Sequence, residues 1–113
     1  MRVSEVVERL GLQVLAGADL LDANEVGGGY VADLLSCVMA GAEAGDLWIT
    51  LQTHGNIVAV ASLLGISAIV VAEGAVIPES TVTKAEQQDV VILSSPVPVY
   101  ETVAQLLELG IRP

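Results

Sequence analysis

No phenylalanine occurs in this chain of 113 residues, and only one tryptophan and two tyrosines do. The core must therefore be filled by Val, Leu, Ile and Ala. Basic residues are also scarce: four Lys and Arg face fourteen Asp and Glu, for a net charge of −10. Such a surface repels a polyanion and carries no basic stripe, which argues against nucleic acid as a partner. Nothing draws the chain to an anionic membrane either. The single cysteine, Cys37, allows neither an internal disulfide nor a thiolate metal cluster, and it suits a reducing cytoplasm. Its setting, LLSCVMAGA, predicts a buried small hydrophobe. No apolar run reaches the roughly 18 residues needed to span a bilayer. The opening MRVSEVVERL mixes charges into its first turns, unlike a signal peptide.

What the chain does have is aliphatic mass. Hydrophobic residues make up 53% and charged residues 16%, which argues for a packed core and against disorder. The length suits one domain over residues 1–113. So small a domain has difficulty burying this much apolar surface alone, so a homodimer or higher homo-oligomer is expected. The helix at 56–64 or the glycine strand at 25–31 is the expected source of the apolar patch.

Periodicity orders the elements. Ser4 can cap a helix over residues 5–10, with Gly11 at its end. LQVLAG reads as a strand, and EVGGGYVAD as a strand with a bend or bulge. After Asp33, a plausible N-cap, apolar residues at 34, 35, 38, 39 and 42 follow helical spacing. LWITL, SAIVVA and DVVIL read as strands, the latter two as buried ones. Between them lie GNIVAVASLLG, a helix apolar nearly all round, and PESTVTKAEQQ, a more polar one. A last helix starts near Ser95, with Val99, Val103, Leu106 and Leu107 as its stripe and Gly110 as its stop. From about residue 33, helix and strand alternate. This predicts an α/β domain of two or three layers with a mostly parallel sheet.

In such a sheet, ligand sites lie outside the carboxyl ends of the strands. Three loops leave that edge: Gln52–Asn56, Glu73–Pro78 and Ser94–Pro98. The candidate ligand residues are therefore Gln52, Thr53, His54, Asn56, Glu73, Gly74, Ser94 and Ser95. Each has a plainer role open to it, since helix starts need acceptors for orphan N–H groups and turns favour polar residues. A phosphate-binding loop needs Gly-Lys-Ser/Thr after its glycines, and GGGYVAD has no such lysine. No nucleophile elbow is present. His54 and Glu73, even with Asp46 or Asp33, do not show metal-ligand spacing, so neither metal nor cofactor is expected. The main expectation is a non-enzymatic, homo-oligomeric regulatory or interaction module that senses a small ligand, a nucleotide or an anion, at the carboxyl edge of the sheet. The alternative is a small enzyme using His54 as acid or base, oriented by Glu73.

The stretch from GGGYVADLL through GDLWITLQTHGNIVAVASLLGISAIVVAEG, then AEQQDVVILSS and a C-terminal helix, resembles a DRTGG domain over roughly residues 1–110. By position, the Asp-Arg of that family falls on Thr53 and His54, and its Thr-Gly-Gly on Ala72, Glu73 and Gly74, of which only Gly74 is kept. The resemblance implies an α/β fold similar to the N-terminal domain of HPr kinase/phosphorylase, which has no kinase activity of its own. It also implies roles in dimerisation and regulation, as in the copies beside CBS domains of regulated pyrophosphatases and those fused to phosphate acetyltransferase. A serine kinase label drawn from that similarity would lack its phosphate-binding loop here.

Overall fold

β-Branched and aliphatic runs set the sheet. The computed structural model describes residues 1–113 and holds five strands: β1 (Gln13–Ala16), β2 (Gly28–Val31), β3 (Asp46–Thr50), β4 (Ala68–Val71) and β5 (Ile92–Ser94). Five α-helices accompany them: α1 (Val3–Leu10), α2 (Leu35–Gly41), α3 (Asn56–Leu64), α4 (Glu79–Gln87) and α5 (Val99–Glu108), with a 3-10 turn at Ala18–Leu20. The strand order is β1-β5-β4-β3-β2. All neighbours are parallel except β1, which runs antiparallel to β5. The expected α/β architecture with a mostly parallel sheet is what forms.

Strands β2 to β5 are adjacent in chain order, each joined to the next through one helix. Crossovers of one hand place α2, α3 and α4 on the same face. Helices α1 and α5 cover the other, which makes three layers. The core divides accordingly. One cluster joins Val38, Ile57, Val58 and Ala85 of the first helix layer to Trp48, Ile69 and Ile92. The second joins Val3, Val6 and Leu106 to Leu47, Ile49, Val70 and Leu93. Successive strand residues thus feed opposite cores, which is why β3 and β4 read as unbroken apolar runs. Helix α3 touches both α2 and α4, in keeping with its nearly all-round apolar composition. No helix is long and apolar enough to cross a membrane.

Several local readings need correction. Helix α1 starts at Val3, and the Arg2 N–H donates to the Glu5 carboxylate at 3.0 Å, so Ser4 sits inside the first turn. Asp33 does not cap α2, whose N-cap is Leu34. The Asp33 carboxylate instead accepts from the Thr50 hydroxyl and the Leu51 N–H, both at 2.8 Å, and ties the ends of β2 and β3 together. Cys37 is exposed, because α2 is short and buries only Val38. The glycine strand has an unbroken register from Gly28↔Asp46 to Val31↔Ile49; the irregular pairing lies in β1, between Val14 and Ala16. A Cβ on Gly28 would stand 2.8 Å from the Arg112 carbonyl oxygen, so glycine here admits the C-terminal tail. The last helix begins after Pro98.

Candidate ligand cleft at the carboxyl edge

Strands β3, β4 and β5 end at one edge. The chain leaves β3 and β4 toward α3 and α4 on one face, but leaves β5 toward α5 on the other. The paths part between β4 and β5, and a crevice at such a switch point is the usual ligand site of an open α/β sheet. A cleft of ≈ 510 Å³ opens there. Its walls are Gln13 and Leu15 of β1, the segment from Gly74 to Ile77 after β4, Val82 of α4, and Ser94 and Pro96 at the end of β5, with Gly11 at the rim. The antiparallel β1 brings its start to this edge, pairing Gln13 with Ser94.

The wall after β4 is held in an uncommon backbone state. Glu73 and Gly74 are consecutive left-handed residues, with φ of 61° and 60°. For the non-glycine Glu73 this conformation costs roughly 1–2 kcal/mol. Two hydrogen bonds offset it: the Glu73 N–H donates to the Val97 carbonyl and the Gly74 N–H to the Ser95 carbonyl, both at 2.9 Å. Ser95 itself is fully buried. Its hydroxyl lies 2.8 Å from that of Thr102, which donates to the Val97 carbonyl at 3.3 Å, so the Ser95 hydroxyl donates to Thr102. The two loops that flank the cleft are thereby stapled to each other and to α5. Thr102→Val leaves the Ser95 hydroxyl buried without a partner. The expected loss is about 1–3 kcal/mol, read as a lower urea midpoint at an unchanged slope. An unmoved midpoint would show that the staple contributes nothing.

The loop with the only histidine is built differently. His54 Nδ1 accepts the Asn56 N–H at 3.1 Å, so the ring caps α3 and the neutral form carries its proton on Nε2. The Thr53 carbonyl accepts the Thr81 hydroxyl at 2.8 Å, and the Gln52 N–H donates to Thr50 Oγ1 at 3.1 Å. The side chains of Gln52, His54 and Asn56 point to solvent, and Thr53 is half-buried.

Of the eight candidates, Gly74 and Ser94 line the cleft, and Glu73 precedes Gly74 without being among the lining residues. Ser95 is sealed behind it, and Gln52, Thr53, His54 and Asn56 form a separate corner of the same edge. His54 and Glu73 share no hydrogen bond and line no common cavity. Asp46 lies at the opposite, amino end of β3, bonded to the Glu43 N–H at 2.9 Å, so it cannot join them. No group of three His, Cys, Asp or Glu side chains is placed to hold a metal ion. Gln13, Leu15 and Val82 line the cleft from outside the three loops, and Ile77 lines it from within the second. Alternation within LQVLAG does put Gln13 and Leu15 on one face, but it leaves open which strand lies beside them.

A second, smaller groove of ≈ 150 Å³ lies at the free edge of β2, between Gly29, Val31, Ile49, Leu106, Leu107 and Pro113 among others. None of its lining side chains is charged.

No protein-family model matches the chain. No curated protein matches it. Among solved structures, it is similar to the CBS and DRTGG domains of the regulatory region of Clostridium perfringens pyrophosphatase, crystallised with its activator diadenosine tetraphosphate. The TM-score is 0.72 at 13% sequence identity, over 94% of this chain and 46% of that one, so the chain spans about half the length of its neighbour. The resemblance read from residues 1–110 thus holds at the level of the fold: this chain has the α/β architecture found in that regulatory region.

Proposed function

We propose that this chain is a non-enzymatic regulatory module, homo-oligomeric, that senses a small ligand in the cleft between the ends of β4 and β5. The cleft carries the reading. Its ≈ 510 Å³ falls within the roughly 300–1,000 Å³ of small-molecule sites. It sits at the switch point, and a strained wall frames it. The chemistry of a catalyst is missing from it: Ser94 is its one hydroxyl, and no His, Asp, Glu or Lys lines the cleft beside it. The structural neighbour is a regulatory region bound to a nucleotide activator, which favours sensing over turnover.

Thermal unfolding against nucleosides, nucleotides, inorganic phosphate and amino acids tests the sensing role. A ligand at 100 times its dissociation constant should add roughly 2.7 kcal/mol of stability. A flat response across the panel would remove the proposal.

The second copy is assigned to the β2 edge. Val31 and Leu107 are 47% and 44% exposed beside the uncharged groove, and Leu34 is 65% exposed at the start of α2. In a chain of net charge −10, an uncharged apolar edge is where two copies meet with least repulsion. Wild-type protein is expected to sediment as a dimer or larger at tens of micromolar. The pair V31K and L107K should sediment as a folded monomer. A wild-type monomer at that concentration rejects the assembly.

A further inference from the structure

We propose that the cleft takes an uncharged purine base, read along its edge by Gln13, with adenosine as the ligand that tests it. The inference rests on the sensing role above and gives it a chemical class.

Charge decides the first point. No ionisable side chain lines the cleft. None of the four basic residues is among its lining residues; Arg2 lies 3.6 Å from Glu25, and the Lys84 side chain lies along Gly55. The N–H groups of Glu73 and Gly74 already donate to carbonyls. A phosphate or carboxylate seated here would find no cation and little free N–H, inside a chain of net charge −10. The seated part of the ligand is therefore neutral, and any phosphate it carries stays in solvent.

Shape decides the second. Leu15, Ile77 and Val82 are only partly buried and present apolar surface to the cleft. Gly11 and Gly74 have nothing within 4 Å of where a Cβ would stand. A flat ring can lie on the aliphatic wall and approach the main chain at these two positions.

Hydrogen bonding decides the third. Gln13 and Ser94 are register partners across β1 and β5, so their side chains share one face. Both line the cleft, and neither side chain has a hydrogen-bond partner within the protein. A carboxamide offers a donor and an acceptor side by side, which match the N7 acceptor and N6 amino donor of adenine. The Ser94 hydroxyl can give or take one more bond.

Isothermal titration of the full chain with adenosine, AMP, cytidine, inorganic phosphate and spermidine tests this. Adenosine should bind, AMP should bind no more tightly, and phosphate alone should give no heat. Gln13→Ala should weaken adenosine at least about tenfold, the scale of one lost bidentate contact. The unliganded unfolding midpoint should stay put, because Gln13 is exposed. Adenosine binding that Gln13→Ala leaves intact overturns the proposal. So does tighter binding of AMP, which would reveal a cation site. Spermidine or cytidine binding that Val82→Arg abolishes, with no adenosine binding, overturns the purine assignment but keeps the sensing role. Silence from the whole panel overturns the purine assignment, and the sensing role falls with it only if the wider thermal-unfolding panel is flat as well.

Discussion

Trp48→Ala should lower the unfolding free energy by about 3–5 kcal/mol, the usual range for a buried large aromatic. Trp48 is the bulkiest fully buried side chain and stands in the centre of β3. It fills the space between the sheet and the α2–α4 layer, where its neighbours are aliphatic apart from Tyr30, its register partner on β2, and none can grow to close the cavity. The substitution also strips the Ala32 carbonyl of the indole N–H that donates to it at 2.8 Å. Domains of this size carry only about 5–15 kcal/mol in all, so the variant sits near the limit of folding. Urea titration followed by far-UV circular dichroism reads the effect, since the substitution removes the only tryptophan. Trp48→Phe keeps most of the volume, loses the hydrogen bond, and should fall between the two. A loss under about 1 kcal/mol for the alanine variant would contradict the packing of this core.

Gly17→Ala should be nearly as harmful, by about 2–4 kcal/mol, from two separate causes. Gly17 has φ of 79°, which no L side chain adopts cheaply. Its added Cβ would stand 2.8 Å from the Val91 Cα and 3.0 Å from the Val90 carbonyl oxygen, so the chain leading into β5 would have to move. Gly11→Ala separates the causes. Gly11 has a similar φ of 64° but open space around its Cβ position, so only the torsional part, roughly 1 kcal/mol, should appear. Equal losses at the two sites would mean that the turn after β1 does not press on the approach to β5.

The parallel part of the fold is legible in the sequence for a physical reason. β3 and β4 are covered on both faces, so burial demands unbroken aliphatic runs, and a helix fits between each pair of such runs. Side-chain fates are less legible. Cys37 lies among apolar neighbours yet faces solvent, because α2 is short and rests on the core through Val38, with Leu35 partly buried beside it. Asp33 has the chemistry of a cap but is drawn to Thr50, a partner across the sheet edge that no local pattern reveals. In the corner at 52–56, His54, which stands out in the sequence, caps a helix, while the Gln52 and Asn56 side chains face solvent. The cleft is half legible. Topology brings Gly74 and Ser94 to one edge, whereas Gln13 and Leu15 arrive through a strand pairing set by the whole chain.

That pairing joins the first strand of the chain to the last. Contacts of such long separation form late, because the loop they close spans nearly everything between them. Three of its lining residues come before β2, five from the stretch between Gly74 and Val82, and two from the end of β5 and beyond, so no fragment that stops short of β5 contains the whole cleft. During synthesis, the opening stretch must wait for β5 to emerge before it finds its place. The cleft thus reports that β1 has docked on β5, and a ligand that occupies it clamps those two segments together.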